Sequence, residues 1–389
     1  FRRVKLNNII MKKLVLVLPL LISSFFFIAQ FGQEIPITTE FTYNRVIISS
    51  DIDGDGNNDI IIGGKWNVGW CKNLGNGTFG PERRVGFSGI TDLKSVHSMD
   101  ADNDGDFDIF IASYSNHLIA WYENLGGGVF GSQQLIPASV SGPTSIYSAD
   151  VNGDGDMDVL SASSNDNKIA WYENLGGGSF GGAQIITTNA WGATSVYSAD
   201  INGDGDMDVL SASANDNKIA WYENLGGGVF GTQQIISTSV SGATSVHSAD
   251  VNGDGDMDVL SASYGNNKIE WYENLGGGSF GAPIILTTLA KGALWVYADD
   301  MDYDGDVDIL SASEYYTIQT IAHYYLFQNL GNGNFNPPVD IIQWANDSKC
   351  ISAEDIDGDG DIDIVGGSDN DNKVAWYENL GGGYMSPQK

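Results

Sequence analysis

Seven times along this chain an acidic loop of the form Asp-x-Asp/Asn-x-Asp-Gly-Asp/Asn-x-Asp returns, beginning at Asp51, Asp100, Asp150, Asp200, Asp250, Asp300 and Asp355. The intervals are 49, 50, 50, 50, 50 and 55 residues. A period of this length marks one supersecondary unit copied along the chain, whose copies bury their apolar faces against one another. The copies run from about residue 33 to the end, so they leave no room for a second domain of another kind. We therefore expect one repeat domain over residues 34–389.

One copy, the fourth, shows the plan of the unit. Its runs Ala193–Ala199, Val209–Ser213, Lys218–Asn224 and Phe230–Ile236 are rich in Val, Ile, Tyr, Trp, Thr and Ser, and Asn, Asp and Gly clusters separate them. That composition specifies four short strands in an antiparallel meander. In the third run Ile219 and Trp221 alternate with Ala220 and Tyr222, so both faces are apolar and both must be covered. Four-stranded sheets stacked face to face around an axis meet that need and leave only short edges. The expectation is an all-β, seven-bladed β-propeller of four-stranded antiparallel blades. Aligned on the loops, Gln33–Thr39 falls on Thr232–Thr238 and the last copy stops at the place of Gln234. The segment Ile35–Thr39 is therefore expected to supply the outermost strand of the seventh blade and close the ring.

The loops carry 31 of the 50 acidic side chains, in a chain of net charge −32. A field of that sign repels phosphate backbones and anionic lipid, and no basic stripe offsets it, so neither nucleic acid nor membrane surface is an expected partner. Cations are. Calcium takes six to eight oxygens, and each loop offers them from one turn of chain. In the third loop Asp150, Asn152 and Asp154 are expected to donate side-chain oxygens, Asp156 its carbonyl, and Asp158 both carboxylate oxygens, with Gly155 allowing the sharp turn. The corresponding sets are Asp51, Asp53, Asp55, Asn57 and Asp59; Asp100, Asp102, Asp104, Asp106 and Asp108; Asp200, Asn202, Asp204, Asp206 and Asp208; Asp250, Asn252, Asp254, Asp256 and Asp258; Asp300, Asp302, Asp304, Asp306 and Asp308; and Asp355, Asp357, Asp359, Asp361 and Asp363. Up to seven structural calcium ions follow. These are not EF-hands, because the flanks read as strands and the twelfth position of the third copy is Ser161.

Residues 1–10 precede Met11 and read as upstream sequence or a fragment edge. Lys12 and Lys13 followed by the apolar run Leu14–Phe31 match a secretory signal peptide over 11–33, with Ala29 and Gly32 as candidate cleavage-site residues. An uncleaved anchor is the alternative. Export to the cell surface or medium, with no membrane span after cleavage, is the expected localisation. The two cysteines, Cys71 and Cys350, exclude a disulfide framework and read as small buried residues, although the first and last blades of a ring would be neighbours.

The loops, the phrases Phe180-Gly-Gly-Ala183 and Phe280-Gly-Ala-Pro283, and the phrase Trp-Tyr-Glu-Asn-Leu-Gly-Gly-Gly at 121, 171, 221, 271 and 376 resemble the FG-GAP/VCBS repeat family. The resemblance implies a seven-bladed, calcium-binding propeller like that of integrin α subunits, in bacteria carried by exported surface proteins. The first copy departs at Trp70-Cys-Lys-Asn-Leu-Gly-Asn-Gly77 and the sixth at Leu326-Phe-Gln-Asn-Leu-Gly-Asn-Gly333, both keeping Asn-Leu-Gly.

Near-identical copies serve as their own control, and positions that vary among them are free to recognise something. Variation is expected on the rim opposite the loops: the interblade link carries Ser141, Trp191, Ser241 and Lys291, with Trp344 in a nearby link, and the turn between second and third strands carries Tyr114, Tyr264 and an expansion from Glu314 to Tyr325. Trp191, Lys291, Tyr264, Tyr315, Tyr316, His323 and Trp344 are thus the candidate ligand-binding residues. The repeated Trp121, Trp171, Trp221, Trp271 and Trp376 read instead as interblade core, and His97 and His247, which stand where Tyr147 and Tyr197 do, as structural aromatics. No catalytic constellation emerges. The expected function is a non-catalytic binding or adhesion module for glycans or surface proteins; the alternative is a polysaccharide lyase or hydrolase using the calcium-free face or central channel.

Overall fold

A computed structural model describes residues 34–40, 43–86, 89–315, 321–345, 348–368 and 372–381. Twenty-eight strands form seven separate four-stranded sheets, and no helix is found among the described residues. The fourth blade is representative, with strands Ala193–Ala199, Asp208–Ser213, Lys218–Tyr222 and Gln234–Ser237 hydrogen-bonded in sequence order. Val209 stands opposite Tyr222 and Leu210 opposite Trp221, while a bulge between Ala193 and Ser195 bends the innermost strand where it enters the blade.

The seventh blade is completed from the other end of the chain. Ile35–Thr38 pairs antiparallel with Lys373–Tyr377, Ile35 facing Trp376, as Gln234 faces Trp221 in the fourth blade. The ring is closed by backbone hydrogen bonds between segments more than three hundred residues apart in sequence, so closure constrains every blade at once.

Each apolar cluster is shared between two blades. One joins Leu210, Ile219 and Trp221 of the fourth blade to Val246, Val259 and Tyr272 of the fifth. The repeated tryptophans are 3–4% exposed and lie in these seams. Burying one removes about 200 Å² from water, an upper estimate of ~5 kcal/mol each. Trp221 lies against the Asn-Leu-Gly-Gly-Gly turn of the next blade, where Gly278 has φ +71° and an added Cβ would fall 2.3 Å from the indole. The glycine run and the tryptophan are thus two halves of one contact. Cys71 and Cys350 are buried free thiols in the cluster between the first and seventh blades, and burial pushes the Cys71 thiol up to about 12.

The sixth blade departs from the expectation of an expanded turn. The insertion lengthens a hairpin: strands Asp308–Tyr315 and Ile321–Phe327 extend together, with Ser313 opposite His323 and Tyr315 opposite Ile321. The paired extension satisfies its backbone groups within the ladder. Tyr324 is therefore buried core and Tyr325 packs against the seam with the fifth blade, while His323 stacks on Tyr325 at 5.8 Å and its Nδ1 lies 2.8 Å from Asp340 Oδ2. Trp344 belongs to strand Val339–Ala345, not to a link. Tyr316, the side chains of Tyr315 and Trp344, and the leader expected at 11–33 lie outside the described residues.

Candidate calcium loops and the opposite rim

Within a loop, backbone amides and acidic oxygens fold the chain around a common point. In the third, Asp150 Oδ1 accepts from Gly153 N at 2.8 Å and Asp154 N at 3.1 Å, and its Oδ2 accepts from Gly155 N at 3.0 Å. Asn152 Oδ1 accepts from Asp154 N and Asp154 Oδ1 from Asp156 N, each at 2.9 Å. Four loops bring three carboxylates to within 4.8 Å of one another: Asp51, Asp53 and Asp59; Asp100, Asp102 and Asp108; Asp300, Asp302 and Asp304; Asp355, Asp357 and Asp359. The seventh-position side chain turns away, as a carbonyl donor should: Asp156 Oδ1 accepts from Asn103 Nδ2 of the preceding blade at 2.6 Å.

The ninth-position aspartates Asp59, Asp108, Asp158, Asp208, Asp258, Asp308 and Asp363 are fully buried. Asp158 Oδ1 accepts from Asn174 N at 2.7 Å and its Oδ2 from Val151 N at 3.1 Å, so one carboxylate pins the loop to the third strand. Burial raises these carboxyls, to about 7 for Asp59, Asp108, Asp308 and Asp363 and about 6 for Asp158, Asp208 and Asp258, with neighbouring loop carboxylates adding to the effect. Such groups stay charged near neutral pH when a cation is beside them.

Two features of the loops escaped the sequence reading. First, in several copies the residue before the Asn of the Asn-Leu-Gly turn interacts with the loop of its own blade. Glu273 Oε1 accepts from Asn252 Nδ2 at 3.5 Å, and the Glu378 carboxyl is raised by burial and then by Asp357 and Asp359. Glutamate stands there in the second, third, fourth, fifth and seventh copies, as Glu123, Glu173, Glu223, Glu273 and Glu378. The sixth has Gln328, which hydrogen-bonds Asp302, and the first has Lys72, whose ammonium pairs with Asp53 and lies 2.7 Å from Asp55 Oδ2. Lys72 is raised by these two carboxylates, and its hydrogen bond is the largest cause holding Asp55 low. Second, the asparagines form a ring. Asn73, Asn124, Asn174, Asn224, Asn274, Asn329 and Asn379 each donate from Nδ2 to a carbonyl in the loop of the preceding blade, at 2.7–2.8 Å; Asn73 closes the circle on Ile356 of the seventh.

The donor set suits a hard cation: all oxygens, several of them carboxylate, on a loop of fixed shape. Asp302 Oδ1 and Asp53 Oδ1 are buried with no hydrogen-bond partner among the described residues, an arrangement that is costly unless a cation faces it. The first loop fits least well, because the Lys72 ammonium already sits on its third and fifth positions.

On the other rim the interblade links lie beside the turns between second and third strands, Ser164 N donating to Gly142 O at 2.9 Å and Asn165 N to Ser141 O at 3.1 Å. Trp191 and Tyr264 are 58% and 39% exposed here, and Lys291 is exposed. Tyr43, Trp66 and Trp295, which comparison of the copies passed over, are also exposed on this side. A cavity of about 370 Å³ at the mouth of the central channel is lined by Arg45, Lys94, Thr144, Thr194, Thr244 and Trp295 among others. Deeper in, His97, Tyr147, Tyr197, His247 and Tyr297 make successive ring contacts at 4.5–5.3 Å. Burial lowers His97 and His247 to about 4, so both are neutral packing rings at pH 7.

A seven-bladed propeller with an acidic loop in every blade defines a class of repeat protein, and comparison with known families agrees on the repeat. The FG-GAP-like repeat family matches residues 51–111, 100–161, 150–211, 200–261 and 250–311; the chain belongs to that family. No curated protein sequence matches it. Among solved structures, a lectin from Agrocybe aegerita, described as specifically recognising non-reducing terminal N-acetylglucosamine, is similar at 22% identity over 78% of this chain and 81% of that one, with a TM-score of 0.56. BBS1N, solved in complex with ARL6DN, is similar at 12% identity over 90% of this chain and 97% of that one, with a TM-score of 0.62. At these identities both likenesses concern the fold.

Proposed function

We propose that this chain is an exported, non-catalytic glycan-binding propeller whose acidic loops hold calcium as a structural ion. The observation that carries the reading is the division of labour between the rims. The copies agree at the loops and disagree on the opposite rim, where Trp191 stands half exposed in one copy and Tyr264 is partly exposed at a place that holds tyrosine in only two copies. Exposed flat rings with a polar handle bind sugars at small entropic cost. The fold it shares with a lectin supports the same reading. The expected result on a glycan array in millimolar calcium is binding to a restricted set of glycans, weakened by alanine at Trp191 or Tyr264. Binding to no glycan would contradict it.

Calcium, when bound, supplies positive charge that relieves repulsion among the loop carboxylates. The chain's own residues do the rest: the ninth-position aspartate pins loop to blade, and the asparagine after the glutamate joins that blade to the loop before it. We assign tight calcium binding to the six loops from the second to the seventh, and assign Lys72 as the resident cation of the first. The variant Lys72→Glu restores the residue present in five other copies. It should bind one calcium ion more per chain than the parent in isothermal titration calorimetry. An unchanged count would show that Lys72 does not guard the loop.

A further inference from the structure

One position in the interblade link requires a left-handed backbone in every described copy. Gly142, Gly192, Gly242 and Gly292 occupy it with φ between 61° and 67°, and Asp92 with φ 56°. In the first copy it is Tyr43, at φ 59°. A bulky aromatic in this region is strained where glycine is not. Strain kept at a place where other copies use glycine is a sign of a selected function.

The turn that faces Tyr43 has been rebuilt to receive it. In the third and fourth blades the four-residue turn between second and third strands crowds the link, a Cβ at Gly142 or Gly192 falling 2.5 Å from Asn165 or Asn215, and in the sixth blade the lengthened hairpin does so, a Cβ at Gly292 falling 2.0 Å from the Glu314 carbonyl. The first blade's turn is two residues shorter, closed by Gly64 N donating to Asn67 O at 2.9 Å, with Lys65 and Trp66 at its tip. The freed space holds the Tyr43 ring, which meets Trp66 edge-on at 5.1 Å. This contact does not bury the pair: Tyr43 is 43% and Trp66 48% exposed. Lys65 Nζ lies 5.4 Å from the Tyr43 ring centre and 5.0 Å from that of Trp66.

The surroundings are basic, against the sign of the whole chain. Arg45 and Lys94, which line the adjoining channel mouth, both pair with Asp92, and Asp92 N donates to Lys65 O at 2.8 Å. Three cations and one carboxylate share this seam of a chain whose net charge is −32, with Glu314 the acidic side chain among those lining the adjoining channel mouth. A local field of this kind selects a negatively charged ligand.

We infer that Tyr43, Trp66 and Lys65 form a binding site for an acidic sugar, a uronate-bearing oligosaccharide. The apolar face of a pyranose ring lies on the exposed aromatic surface, and its carboxylate meets the Lys65 ammonium; Arg45 and Lys94 extend the positive field toward the channel mouth. The inference rests on the glycan-binding reading above and adds to it a site in the first blade, separate from Trp191 and Tyr264, for one class of sugar.

The test compares the parent with Tyr43→Gly, Trp66→Ala and Lys65→Gln, using calorimetry with trigalacturonate and cellotriose, a glycan array, and melting curves. Tyr43→Gly should weaken trigalacturonate binding at least about tenfold while leaving the melting temperature equal or higher, since glycine relieves the left-handed strain. Trp66→Ala should weaken binding to a similar extent, and Lys65→Gln should remove the preference for trigalacturonate over cellotriose. A Tyr43→Gly variant that melts lower than the parent would make the tyrosine a structural filler and overturn the site. Equal binding by parent, Tyr43→Gly and Trp66→Ala to any glycan the array finds would overturn the site and leave the glycan-binding reading intact. Preference for cellotriose would overturn the acidic class. A parent that binds no glycan would remove both.

Discussion

On the proposed calcium reading, adding a chelator to the folded protein is expected to lower its melting temperature by roughly 15 °C or more. At a hundredfold excess over Kd each site adds about 2.7 kcal/mol to the folded state, and a ring of this length shifts by only a degree or two per kcal/mol, so six sites reach that range. The two conditions also differ in the sign of their pH dependence. Without the ion, the buried ninth-position carboxyls sit at about 6 to 7 when folded, from an ordinary value of 3.8. The folded state then holds more protons than the unfolded one between about pH 4 and 7, so stability is greatest below that window and is lost as pH rises through it. With calcium present, the ion requires the ionised form, protons compete with it, and stability rises over the same window. Scanning fluorimetry between pH 5 and 7.5, with chelator and with calcium, should give curves of opposite slope. Parallel curves would mean that the ion and the buried carboxylates are not coupled.

Asn224→Ala costs about 3 kcal/mol and does so with or without calcium. Its Nδ2 donates to Val151 O of the preceding blade and to Met207 O of its own, and Gly226 N donates to its Oδ1. Alanine at this buried position leaves backbone groups without their side-chain partner, each at about 1–3 kcal/mol. The bond ties blade to blade and does not pass through the ion, which is why chelation should not absorb the loss. Urea unfolding of parent and variant, in calcium and in chelator, measures it. A cost below ~0.5 kcal/mol would mean that the asparagine ring is incidental.

Much of this architecture was legible because repetition makes a chain its own alignment. Seven loops counted seven blades, and matching Gln33–Thr39 to Thr232–Thr238 identified the closing strand that pairs with Lys373–Tyr377. Trp221 read as seam core because no copy with the full phrase varies it, and the structure puts Gly278 beneath it. What stayed hidden depended on contacts across sequence. Lys72 was visible as a departure, but its meaning lies in Asp53 and Asp55, nineteen and seventeen residues away and adjacent only once the sheet forms. The asparagines were seen as turn residues, whereas their side chains bind the previous blade. Tyr315 and His323 read as turn aromatics because a Tyr-rich stretch suits either a loop or a lengthened hairpin, and pairing opposite Ile321 and Ser313 decided for the hairpin. Tyr43 carried a readable signal, a tyrosine where four copies have glycine, that only a comparison of φ-demanding positions would have raised.

The central claim is that the acidic loops are ion sites built into the ring and that the first has exchanged its ion for a lysine. The most direct measurement is the calcium content of the purified chain after loading with calcium and exhaustive dialysis against metal-free buffer, by inductively coupled plasma mass spectrometry. The proposed reading predicts six ions per chain, one for each loop from Asp100 to Asp355. Retention of one ion or none would contradict it.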